Sequence, residues 1–273
     1  MNPTHFLSYA DTRFTPTAQA LCASALSVGF VRAAFRGPDD LAPNFREANA
    51  NILSQPRGAG YWLWKPQIIL QELDSIGPGE VLCYCDAGRS AYYRFTRLPE
   101  RLIAKAAQHG FLLGPCIAQH GPMSRWTKRD AFILTGMDRP EIASRAPIQA
   151  TWSFWTNCPP ARAFLKLWLE ACQDPRILTD QPSELGPNYP DFMDHRHDQA
   201  ALSLIAYREG APFLDYSVRG LFRILRLRPQ SALAHHFMKR IDDAEAMERG
   251  EMIRGLVRSF RTLRAARGEA RHG

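Results

Sequence analysis

The chain has 273 residues, 45% hydrophobic and 22% charged. That is the composition of a globular protein with a sizeable core, and it excludes a disordered, collagen-like or disulfide-stapled chain. The net charge of +7 lies wholly beyond residue 217: residues 218–273 carry 13 Lys and Arg against 6 Asp and Glu, while residues 1–217 are balanced.

In chain order, His5–Tyr9 predicts a first strand ending at Ala10-Asp11, and 17–28 predicts a helix rich in Ala and Leu. A second strand is expected over 30–35, before Pro38-Asp39-Asp40 breaks the pattern. Gly58-Ala59-Gly60 opens an aromatic stretch, Tyr61-Trp62-Leu63-Trp64-Lys65-Pro66. A helix over 66–75 follows, with Pro66 tolerated in its first turn. After a Gly-Pro-Gly turn comes the strand 81–85, which stops on Asp86-Ala87-Gly88. Then come a helix at 98–109, strands at 111–118 and 148–156, a helix at 159–173, a long Pro- and Asn-containing loop at 174–193, and a helix at about 195–208. Strands and helices alternating in this way predict an α/β sandwich with a mostly parallel sheet flanked by helices. The neutral residues 1–217 read as one domain, and 218–273 as a basic, mainly helical extension.

No apolar run approaches the ~18–20 residues of a membrane span. The start, MNPTHFLSYADTRF, lacks the basic-then-apolar plan of a signal peptide, so a cytoplasmic location is expected. Six cysteines stand among apolar neighbours with no paired spacing, which predicts reduced, mostly buried thiols.

Two stretches carry the candidate chemistry. In open α/β sheets, ligands sit beyond the carboxyl ends of the strands. Asp86, at such an end, can bind a metal, a ribose hydroxyl or a phosphate-bridging cation. Gly88 lets backbone approach a ligand closely. Lys65, at a helix start, is a candidate phosphate partner. In DFMDHRHDQAALSLIAY (191–207), Asp194 is expected to cap a helix starting near His195. Asp198 then aligns with Ala201, Leu202 and Ile205 on the inward stripe. A carboxylate there is costly unless paired or functional, and Gln199 lies beside it. The spacing of His195 and His197 argues against a zinc site.

The segments GYWLWKPQIIL, VLCYCDAG, RWTKRDAF and DHRHDQAALSLI, in this order, resemble bacterial glycosyltransferases of the GT-A type from polysaccharide biosynthesis. HFLSYAD is a weaker match. The resemblance implies a Rossmann-like catalytic domain over 1–217 that moves a sugar from a nucleotide-diphosphate sugar to a saccharide or lipid-linked saccharide. It places Tyr9 and Asp11 near the nucleotide, Lys65 near the diphosphate, and Asp86, Ala87, Gly88 and Gln199 around the donor. Asp198 is implied as general base or donor-sugar partner, with Asp194 as runner-up. Trp126, Lys128 and Trp152 are the acceptor-side candidates. Asp86 stands at the first Asp of the family's Asp-x-Asp metal motif, but Gly88 replaces the second. Mn²⁺ or Mg²⁺ would then need a further ligand, for which His236 (or His235) is the candidate.

The tail places Ile253, Leu256, Val257, Phe260 and Leu263 at helical spacing beside a row of arginines, as in a helix lying on an anionic bilayer. A peripheral membrane position is therefore expected. Nucleic acid is not, because the aromatic and basic residues lie in different parts of the chain. The alternatives are an inactive family member, given Gly88, and a module that binds anionic ligands through the tail.

Overall fold

The computed structural model describes residues 2–88, 94–116, 118–215 and 241–249. Its elements, in chain order, are β1 (Thr4–Tyr9), α1 (Thr15–Ser27), β2 (Arg32–Arg36), α2 (Trp64–Leu73), β3 (Val81–Cys85), α3 (Glu100–His109), β4 (Phe111–Pro115), α4 (Arg129–Leu134), β5 (Trp152–Thr156), α5 (Pro159–Gln173), α6 (His197–Glu209), β6 (Phe213–Leu214) and α7 (Ile241–Glu248), with shorter helical turns between them. The strands form one six-stranded sheet in the order β2-β1-β3-β5-β4-β6. β1 is parallel to β2 and β3, and β4 is parallel to β6. β5 alone is reversed, antiparallel to both β3 and β4. The fold is thus mixed α/β, with a mostly parallel sheet flanked by helices.

Strand alternation sends successive side chains to opposite faces. Leu82 and Tyr84 enter one core, with Leu7, Trp155 and the buried faces of α2, α5 and α6. Val81, Cys83 and Cys85 enter the other, with Phe6, Trp152, Phe154 and the buried residues of α1, α3 and α7. The same parity assigns Asp86, one residue past β3, to the α2/α6 side. Strand order reverses between the neighbours β1 and β3: from β1 the chain goes outward to β2, and from β3 it goes the other way, toward β4, so it leaves the two strands in diverging directions. A crevice opens at their carboxyl ends, as the topological switch rule requires. The reversal of β5 brings its amino end to the same edge: Cys85 pairs with Trp152, and the Asp86 amide donates to the Thr151 carbonyl at 2.8 Å.

The described part of the basic extension is an acidic helix docked on α3. Buried Glu245 accepts hydrogen bonds from the Arg101 and Leu102 amides, free donors of the first turn of α3. The predicted amphipathic stretch 251–267 lies outside the described residues. No helix among the described residues is long and apolar enough to cross a membrane.

Trp152 was expected on the acceptor side. Instead it is fully buried, edge-on to Phe154 with ring centroids 5.8 Å apart. A strand with both faces covered buries its aromatics whichever way they point. Trp152→Ala is expected to lower unfolding free energy by about 3–5 kcal/mol in denaturant titration, as a core truncation does.

Candidate active site

The crevice is walled by the end of β1, the end of β3 and the turn before α2. It is a cleft of about 420 Å³ lined by Tyr9, Asp11, Arg13, Trp62, Trp64, Asp86 and Gly88, among others, within the size range of small-ligand pockets. Tyr9 stacks on Trp64, with centroids 3.6 Å apart and planes 11° from parallel. Burial and then the charge of Asp11 push the Tyr9 phenol above its usual range, so it stays neutral. Asp11 lines the cleft while its Oδ1 accepts from the Arg13 and Phe14 amides, shaping the entry to α1. Tyr9, Asp11, Asp86, Ala87 and Gly88 therefore share one cleft, whereas Lys65 and Gln199, which the resemblance also groups around the donor, line a neighbouring cavity instead.

The turn before α2 is left-handed. Gly58, Ala59, Gly60, Tyr61 and Trp62 all have positive φ, between 50° and 93°. For the three with side chains this costs roughly 1–2 kcal/mol each. Glycine is required at both of its positions: a Cβ on Gly58 would meet the Trp62 ring at 2.4 Å, and one on Gly60 would meet the Leu53 backbone at 2.6 Å. The turn is pinned by Trp64 Nε1 donating to the Gly58 carbonyl at 3.0 Å and by Tyr61 stacked on His197. It presents Trp62 to the cleft and drives Lys65 inward.

Lys65 is buried. Its Nζ lies 2.9 Å from Asp198 Oδ2 and 3.2 Å from Asp86 Oδ1, and donates to the Ala150 carbonyl at 3.2 Å. Burial works against its charge, but Asp198 and then Asp86 outweigh it, and the ammonium is held above its usual range. This corrects the expectation that Lys65 meets the diphosphate: its charge is already matched by two carboxylates. The Tyr84 hydroxyl donates to Asp86 Oδ1 at 2.6 Å. Burial raises the Asp198 carboxyl to about 6 against the pull of Lys65. Its Oδ2 sits at ion-pair distance from Lys65 but makes no well-directed hydrogen bond.

Asp198 is buried in the first turn of α6 together with Ala201, Leu202 and Ile205, as its spacing predicts. The start of α6 is otherwise not as predicted. The helix begins at His197, which has a φ of 44°, and no side chain caps it. Asp194 instead pairs with Arg57 at 2.9 Å; Arg57 also grips Asp180, which receives His197 Nε2 at 3.0 Å. Asp194 is a brace behind the site and does not line its cavities. His195 is buried against the Ile177 carbonyl, and desolvation holds it well below its usual range, hence neutral.

RWTKRDAF anchors the loop that delivers α6. Lys128 Nζ donates to the carbonyls of Pro175, Thr179 and Gln181, and burial lowers it to about 8. Lys128 is therefore buried away from any acceptor, a second correction. Asp130 accepts from the Glu184 and Leu185 amides. Trp126 does stay at the surface of the site, with the Arg196 guanidinium 4.6 Å above its ring.

A second cavity of about 160 Å³ continues from the cleft through Trp62 and Asp86, and is lined also by Arg57, Lys65, Thr151, Arg196, Asp198 and Gln199. A third, of about 80 Å³, continues through Arg196 and Gln199 to His120, Trp126 and Pro147. Arg57, Tyr84, Thr151 and Arg196 were missed in the sequence. Arg57, just before Gly-Ala-Gly, and Arg196, between the two histidines, were the available signals.

The described residues do not fit a divalent metal. Asp86 Oδ1 already faces an ammonium and a phenol, and no group of three His, Cys, Asp or Glu that could hold an ion exists among them. His235 and His236 lie outside the described residues.

No family model and no curated protein matches the chain. Among solved structures it is similar to apo mouse xyloside xylosyltransferase 1, with a TM-score of 0.42 and 9% identity over 79% of this chain and 85% of that one. A likeness that distant carries no argument.

Lys65→Met leaves two carboxylates facing each other without a cation, and is expected to lower unfolding free energy by about 3–5 kcal/mol. Asp198 binds its proton more tightly in the folded protein, at about 6 against 3.8. The stability it contributes is present below about pH 4 and is lost as pH rises through 6. Denaturant titrations across that window should show wild type losing stability relative to Asp198→Asn as pH rises.

Proposed function

We propose that the protein, in the trough formed by the cleft and the two cavities that continue from it, transfers a glycosyl group from a nucleotide-diphosphate sugar to a saccharide or lipid-linked saccharide acceptor, in polysaccharide synthesis. The observation that carries this reading is Asp198. It is a buried carboxylate, raised by burial to about 6, that shares Lys65 with Asp86 where a nucleotide-sized cleft meets a smaller polar cavity. The cleft's position at the carboxyl ends of β1 and β3, its Tyr9–Trp64 stack and the four sequence motifs support it.

In this reading the nucleoside occupies the large cleft, with Tyr9 and Asp11 at one end and Gly88 giving backbone access. Arg13 is the cation placed there for the diphosphate. Asp86, fixed by Tyr84 and Lys65, holds donor hydroxyls. The acceptor enters by the second cavity, beside Gln199 and Thr151. Its hydroxyl oxygen bonds to the anomeric carbon as the carbon–phosphate oxygen bond breaks. The bonding pair leaves with the diphosphate, and the acceptor proton passes to Asp198. Burial favours that uptake, because the protonated carboxyl is the cheaper form to bury. Lys65 keeps Asp198 ionised until then. No step passes through a metal. The basic segment 251–267 would hold the enzyme against an anionic leaflet that carries the acceptor.

The test is a panel of UDP, GDP, CMP and ADP in thermal shift and calorimetry, followed by nucleotide release from the matching sugar nucleotide. One nucleotide is expected to raise Tm, and Tyr9→Ala to weaken its binding. Asp198→Asn should keep nucleotide binding, lower turnover about 10²–10⁴-fold and abolish a rise in rate through about pH 6. Absence of binding by every nucleotide would refute the proposal.

A further inference from the structure

The charges along the trough are unequally matched. Lys65 is held by Asp86 and Asp198, and Arg57 by Asp180 and Asp194. Arg196, exposed where the second and third cavities join, has no carboxylate partner among the described residues. It is oriented instead by the Trp126 ring 4.6 Å below it. Trp126 is itself fixed, its Nε1 donating to the His120 carbonyl at 2.7 Å. The Arg196 backbone is fixed too, its amide donating to the Trp126 carbonyl at 3.0 Å. A guanidinium over an aromatic ring, with no carboxylate counter-ion among the described residues, is a preorganised fork for an oxyanion. Its position one residue before His197, at the start of α6, adds the favourable end of that helix dipole.

We infer that the acceptor bears a negative charge, a carboxylate or phosphate ester on the sugar next to the reacting hydroxyl, and that Arg196 on its Trp126 platform selects it. The inference rests on the transferase reading for the direction of the trough. A neutral saccharide can offer Arg196 only uncharged hydroxyl oxygens, the weaker acceptors. An acidic one makes a bidentate, charge-assisted contact in the small cavity while its hydroxyl faces Asp198. Lys128, the cation that the sequence placed on this side, is buried elsewhere, so this role falls to Arg196.

The experiment titrates the protein, saturated with the nucleotide it selects, with p-nitrophenyl β-glucuronide, glucose 6-phosphate and p-nitrophenyl β-glucoside at fixed ionic strength. At least one acidic probe is expected to bind about 10–100-fold more tightly than the glucoside, the range of a charged hydrogen-bonded contact. Arg196→Ala should erase that preference, and Arg196→Lys should keep part of it. Both should leave Tm and nucleotide affinity unchanged. A preference for the glucuronide assigns a carboxylate, and one for the phosphate assigns a phosphate ester. Equal binding of all three probes, no binding of either acidic probe, or a preference that survives Arg196→Ala would overturn the inference. If no nucleotide binds but the acidic probes still do so through Arg196, the transferase reading fails and the oxyanion site stands.

Discussion

Everything at the carboxyl edge of the sheet depends on one buried ammonium. Lys65 lies between Asp86, at the end of β3, and Asp198, in the first turn of α6. Without it these two carboxylates would face each other across a poorly solvated gap. Against an apolar substitute of the same shape, such a cluster adds little to stability, because removing three charges from water is expensive. What it supplies is uniqueness of arrangement. Its contact with the Ala150 carbonyl adds the segment before β5, so a single side chain fixes four parts of the chain to one another.

The strain nearby follows from the same requirement. A regular approach to α2 would not aim position 65 inward and Trp62 outward at once. The left-handed turn does both, with glycines where no Cβ fits and stacking that offsets the cost at Tyr61 and Trp62. Strain of this kind persists where surrounding packing over-determines it, and such places are commonly functional. On the other side, Lys128, Arg129 and Asp130 fasten the loop that leads into α6, so Asp198 is presented from a braced support.

The strands and long helices were legible in the sequence because their periodicity is local. So was the inward placement of Asp198, which follows from its spacing to Ala201, Leu202 and Ile205. The partners of Lys65 are not legible locally. A lysine beside tryptophans reads as a surface cation until two carboxylates distant in sequence are known to converge on it. Lys128 and Trp152 were misplaced for a related reason, since residue type does not reveal which layer of a covered sheet a side chain enters. Asp194 has the chemistry of a helix cap, but a salt bridge to Arg57 outcompetes the free amides of α6, and that partner is not local either. Arg196 carries no local signal of its role, because the Trp126 ring it lies over is 70 residues away in sequence.

The wide sequence separation of Lys65 and Asp198 has a consequence for synthesis. At about 5–20 residues per second, the ribosome delivers Lys65 on the order of 10 s before Asp198. During that interval β1, β2 and β3 can pair, yet the ammonium remains hydrated beside Asp86, and the left-handed turn still lacks the His197 ring that offsets its strain. Only when α6 emerges and docks is water expelled and the cluster closed. The trough is therefore among the last parts of the nascent chain to be completed, and a chain truncated before α6 would present an open, wet crevice.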